Sequence, residues 1–152
     1  MCDATECTVH GTCIVLGDAG ILIRGGPGAG KSDLALRLID DGARLVSDDQ
    51  VRLRRRGDAV IASAPGVIKG TIEVVGIGLT RLDDERIASE ASLVLLVDLD
   101  GSGEIDRLPR PQEATVLGAS LPRIVLSPFE ASAPSKLRLA AGRGPGSIIR
   151  VP

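Results

Sequence analysis

Apolar and polar positions along this chain fall into short runs, most of them too brief for a helix. Thr8 to Leu16 alternates well enough for one strand. Gly17-Asp18-Ala19-Gly20 then turns the chain into Ile21 to Arg24, so the second run is the return arm of a hairpin. Residues 32–41 carry the apolar spacing of a helix and stop at Gly42, a good residue just beyond a helix end. Ala43 to Val46 predicts a short strand running into Ser47-Asp48-Asp49. Val51–Arg55 and Ala59–Ser63 predict a hairpin around Arg56-Gly57-Asp58. Pro65-Gly66 breaks the chain before a glycine-rich segment, 70–79. Ser92 to Leu99 is the most apolar strand, followed by the loop Asp100-Gly101-Ser102-Gly103. Leu121 to Leu126 predicts a further strand, and Ala133 to Ala141 a helix that starts behind Pro134. Residues 142–152 read as a loose tail. With no linker or repeat, the expectation is one α/β domain over 1–152, with a β-rich mixed sheet and few helices.

One junction carries chemistry. Between the strand at Ile21-Leu22-Ile23 and the helix lie Gly25, Gly26, Pro27, Gly28, Ala29, Gly30, Lys31 and Ser32, the full G-x-x-x-x-G-K-[ST] phosphate-binding loop. The glycines let backbone N–H groups turn inward toward phosphate oxygens. Lys31 supplies a point charge for the β- and γ-phosphates, and the Ser32 hydroxyl can join a Mg²⁺ shell. The helix start adds its positive dipole end. These features predict a P-loop domain that binds a nucleoside triphosphate or another phosphate-rich ligand.

Composition narrows the class. A chain of 152 residues, 43% apolar, can bury one core and is short for two domains. The net charge of −2 provides no basic field for nucleic acid or for an anionic membrane surface. No apolar run approaches the roughly 18 residues of a membrane helix, and the first residues lack the pattern of a signal peptide. A cytoplasmic protein is expected. The chain has no Asn, Tyr or Trp, and Phe129 is its one aromatic residue. That excludes the Asn-Lys-x-Asp guanine reader and the catalytic-loop Asn of eukaryote-like protein kinases. It also removes the stacking platform usual for single-stranded nucleic acid. Cys7, His10 and Cys13 have the spacing of a metal cluster. In an extended segment, however, His10 faces away from both cysteines, so Cys2, Cys7 and Cys13 are expected as free thiols.

A P-loop also needs a carboxylate at the end of a neighbouring strand. Leu93-Val94-Leu95-Leu96-Val97-Asp98 has the usual apolar-run-then-Asp form. Leu45-Val46-Ser47-Asp48-Asp49 is shorter but holds two adjacent acids, a costly arrangement beside a triphosphate unless a metal or proton joins them.

The order His10-Gly11, P-loop, Asp48-Asp49, Glu73-Val74-Val75-Gly76-Ile77-Gly78 and Ile105-Asp106-Arg107-Leu108 resembles the catalytic domain of HPr kinase/phosphorylase. That bacterial family phosphorylates a serine of the phosphocarrier HPr and can reverse the transfer by phosphorolysis. The resemblance covers residues 8 to about 140 and implies a P-loop kinase domain using ATP and Mg²⁺. It implies that Lys31 binds phosphates, that Ser32 and Glu73 hold Mg²⁺, and that Asp49 exchanges the serine proton. His10 and Arg107 would stabilise charge near the transferred phosphoryl group. The implied partner is HPr or an HPr-like carrier, and the family's usual form is a homo-oligomer, a hexamer.

Several positions depart from the family pattern. Because His10 lies almost at the start, the family's usual amino-terminal domain is expected to be absent. Val75 stands where the family usually has Arg, and Ser127-Pro128-Phe129-Glu130-Ala131-Ser132 replaces an arginine-rich segment tied to phosphorolysis. The family's carboxy-terminal helix, which commonly helps dock HPr, is expected to be shortened or missing. The compact form resembles the truncated α-proteobacterial versions, and weak phosphorolysis is expected. Two other readings stay open. One is a P-loop kinase for a small molecule; the other is a nucleotide-sensing module that transfers nothing.

Overall fold

A computed structural model describes residues 2–149. Its elements are β1 (Glu6–His10), β2 (Thr12–Leu16), β3 (Ala19–Arg24), α1 (Lys31–Asp40), β4 (Arg44–Ser47), β5 (Gln50–Arg56), β6 (Ala59–Ser63), β7 (Thr71–Val74), β8 (Gly78–Arg81), β9 (Glu90–Leu99), β10 (Gln112–Val116), β11 (Ala119–Leu126) and α2 (Ala133–Ala140). This is the expected α/β class: a mixed, β-rich sheet with two α-helices. Among the described residues no helix is long and apolar enough to cross a membrane. The end of the expected loose tail, 150–152, lies outside the described residues.

β9 is the spine of a nine-stranded sheet. Its first residues pair antiparallel with β6, and the rest runs parallel between β3 and β11. β3, β9 and β11 therefore all end at one edge, and the P-loop leaves from that edge. Ile21, Ile23, Leu95 and Val97 point to one face, where they pack on Leu34, Leu38 and Ile39 of α1 and Leu137 of α2. Leu22, Leu93 and Leu96 point to the other face and meet Val51, Leu53, Val60 and Ala62 of the β5–β6 hairpin. Burial on both faces explains why β3 and β9 read as apolar runs without clean alternation. Each large side chain buried this way contributes about 1.5–3 kcal/mol, which anchors α1 and the loop before it.

Three expectations change. The single strand expected over Thr8–Leu16 is two strands with different partners: β1 pairs with β5, and β2 with β3 and β4. The switch falls at Gly11, where a Cβ would lie 2.9 Å from the Ile23 carbonyl oxygen, so only glycine lets the chain pass. The glycine-rich stretch is the β7–β8 hairpin, and β10 is a short edge strand, paired with β11 alone, that the expectation did not include. The cysteines are not all free thiols. Asp3 Oδ1 accepts the Thr5 and Glu6 amides, closing a turn that sets Cys2 against Cys7 as a disulfide. Cys13 alone is free; burial in β2 pushes its thiol up to about 12.

Candidate active site

The P-loop follows β3 directly. The residue before α1, Gly30, has φ 95°, and no side chain caps the helix. The first helical bond runs from the Leu34 amide to the Gly30 carbonyl at 2.9 Å, so the amides of Lys31, Ser32 and Asp33 are not consumed by the helix. Such a start is suited to anionic oxygens. Lys31 Nζ folds back over the loop and donates to the carbonyls of Gly25 at 2.8 Å and Gly26 at 2.9 Å.

The paired acids at the end of β4 divide their work. Asp48 is 6% exposed, and its Oδ1 accepts the hydroxyls of Ser32 and Thr12, each at 2.8 Å. Its Oδ2 accepts the Glu73 amide at 3.1 Å. Three donors thus meet a buried carboxylate that would otherwise be costly. Asp49 turns the other way. Its φ of 69° is a left-handed conformation that Asp tolerates better than most residues, and its side chain is exposed. The Asp49 carbonyl accepts the Gly11 amide at 3.1 Å, which pins this turn to the β1–β2 switch.

His10 ends β1, in register with Gln50 and exposed beside the Asp49 turn. Glu73 lies on β7 with its side chain exposed. The bonds around Asp48 and Gly11 connect the start of α1 with Ser32, the β7 backbone at Glu73, and the β1–β2 switch next to His10 with the Asp49 turn. Arg107 sits in the exposed loop between β9 and β10, where among the described residues its side chain makes no hydrogen bond or ion pair.

Asp98 holds the position expected of an ordinary P-loop acid, opposite Arg24 in the parallel β3–β9 register. Its two oxygens are engaged by Arg24 at 2.8 and 2.9 Å, and Arg123 adds a bond at 2.5 Å. Burial raises the carboxyl pKa, but the hydrogen bonds and charges of the two arginines outweigh it and hold Asp98 below the usual range.

The model of the HPr serine kinase C-terminal domain family matches residues 3–135. The chain belongs to that family. It is 33% identical over 132 residues to HPr kinase/phosphorylase of Geobacillus kaustophilus, covering 81% of this chain and 42% of that protein. For the protein of the same name from Listeria monocytogenes, identity is 31% over 128 residues, covering 78% and 41%. The chain thus spans about two fifths of the length of these relatives. The solved HPr(Ser) kinase/phosphatase of Coxiella burnetii superposes with a TM-score of 0.76 at 29% identity, covering 86% of this chain and 90% of that one.

Within this HPr serine kinase domain, Asp48 and Asp49 are adjacent acids of the same chemistry in the sequence, and the family resemblance points to Asp49 alone as a site residue. Thr12 had no signal at all, because a lone threonine in an apolar strand reads as core. Arg24 could have been suspected, since a charge ending one parallel strand commonly faces a charge ending the next.

Proposed function

We propose that this domain is an ATP-dependent protein-serine kinase whose acceptor is HPr or an HPr-like phosphocarrier. The observation that carries this reading is the bonding of one carboxylate, Asp48, to both the P-loop serine and the Glu73 amide. It ties the phosphate loop, the acid pair and the Glu-x-x-Gly-x-Gly segment into one site.

In the forward reaction the acceptor serine oxygen bonds to the γ-phosphorus while the bond from that phosphorus to the ADP oxygen breaks. Asp49, exposed and held by the Gly11 bond, takes the serine proton. Lys31 exchanges the Gly25 and Gly26 carbonyls for phosphate oxygens, and His10 and Arg107 add positive or hydrogen-bonding groups around the transferred phosphoryl. Asp48 accepts the Ser32 hydrogen, which leaves the Ser32 oxygen's lone pairs to face a cation held at the phosphates.

The donors near the loop, the Ser32 hydroxyl and the Glu73 carboxylate, are all oxygen. That suits Mg²⁺, which takes one or two protein ligands and completes its shell with water and phosphate. Held by Ser32 and Glu73, Mg²⁺ would supply positive charge to offset the negative charge of the phosphates.

The deciding experiment incubates the protein with γ-labelled ATP, Mg²⁺ and the host's HPr and scores phosphoserine. Transfer that is lost in Asp49→Asn supports the assignment; no phosphoserine on HPr overturns it.

A further inference from the structure

Nucleotide recognition needs a surface for the base as well as a cradle for the phosphates. This chain is poor in such surfaces, since Phe129 is its one aromatic side chain. The fold places that ring at the phosphate loop. A Cβ built on Gly30 would lie 3.0 Å from Phe129 Cε1, 3.2 Å from its Cζ and 3.2 Å from Pro128 Cβ. The Cε1 and Cζ atoms of the ring come nearest the loop, and the residue remains 67% exposed, so much of it is open to a ligand beside the P-loop.

The segment that carries the ring is held in place. It follows β11, whose end lies at the same edge as the ends of β3 and β9, where ligands of open α/β sheets bind. Arg37 of α1 donates to the Pro128 carbonyl and, at 3.2 Å, to the Glu130 carbonyl. Lys136 pairs with Glu130 at 2.5 Å, and Ala133 and Pro134 are buried as α2 begins. The helix that presents the phosphate-binding amides thus also anchors the loop that presents the ring.

We propose that Phe129 is the stacking platform for the purine base of the bound nucleoside triphosphate, a reading that rests on the nucleotide site proposed above. A flat ring fixed before binding loses little freedom when a base lies on it, and base–aromatic stacking is a substantial, sequence-tolerant contribution.

The test compares ATP with inorganic tripolyphosphate, which carries the phosphates without the base, by titration calorimetry. Phe129→Ala and Phe129→Leu should weaken ATP by roughly five- to a hundredfold and leave tripolyphosphate unchanged. Because the chain has no Trp, Phe129→Trp creates a single reporter whose fluorescence should be quenched by ATP and not by tripolyphosphate. If Phe129→Leu binds ATP as the wild type does, or both ligands weaken equally, the ring only shapes the loop and the proposal falls while the nucleotide site stands. If the wild type binds neither ligand, the nucleotide site itself is overturned, and the platform with it.

Discussion

Ser32 and Asp48, sixteen residues apart, are joined by a hydrogen bond of 2.8 Å from the Ser32 hydroxyl to Asp48 Oδ1. The contact links the first turn of α1 to the end of β4, and Thr12 and the Glu73 amide complete the same carboxylate's shell. Asp48 therefore serves the fold and the phosphate loop together. Asp48→Ala strands the fully buried Thr12 hydroxyl and frees Ser32, with an expected loss of about 2–3 kcal/mol and a large fall in transfer. Asp48→Asn keeps an acceptor and should cost less stability. Urea unfolding alongside turnover checks both; an unchanged midpoint in the alanine variant contradicts the structural part of this role.

Among the described residues Lys31 Nζ bonds only to the Gly25 and Gly26 carbonyls, so its removal should leave the core untouched. Lys31→Ala is expected to retain its circular dichroism spectrum and to stay within about 0.5 kcal/mol of wild-type stability. Transfer should fall by roughly 10²–10³ or more, the scale of losing one preorganised charge-stabilising group. A variant that turns over normally would remove Lys31 from the mechanism.

Glu73 and Asp98 separate metal binding from stability. Glu73→Gln is expected to raise the Mg²⁺ concentration needed for half-maximal transfer, while Asp98→Asn leaves that requirement almost unchanged. Asp98 should instead register in acid. Its folded pKa is depressed by Arg24 and Arg123, so its stabilisation is complete above the unfolded value of about 4 and is lost as pH falls through the folded value. Asp98→Asn should flatten that acid limb in pH-dependent unfolding. A shifted Mg²⁺ requirement in this variant would restore Asp98 as the metal-linked acid.

Direction of transfer depends on positive charge. Phosphorolysis must hold inorganic phosphate in line with a phosphoserine, and two anions brought close need cations to offset their repulsion. Val75 is 95% exposed and uncharged, and the segment after β11 offers Phe129 and Glu130 in place of arginines. Weak phosphorolysis is therefore expected. Phosphoserine-HPr mixed with millimolar phosphate should release pyrophosphate far more slowly than the forward reaction proceeds; comparable rates would defeat this argument.

The phosphate loop was legible because its eight residues are contiguous and their glycines act on the local backbone, with β3 and α1 marked by their own apolar spacing. The family resemblance was legible for a related reason: motif order survives in the chain even when partners are distant. What the residues could not reveal depended on which strands lie side by side. Asp48 and Asp49 are neighbours of identical chemistry. Only the left-handed turn at Asp49 and the three donors around Asp48 send one inward and the other out. Asp98 matched the ordinary acid of a P-loop until the β3–β9–β11 register set Arg24 and Arg123 against it. Phe129 is the one aromatic residue of the chain, and its contact with Gly30 exists because Arg37 draws the loop after β11 onto α1. Local backbone preference determined the loop; long-range strand pairing decided what surrounds it.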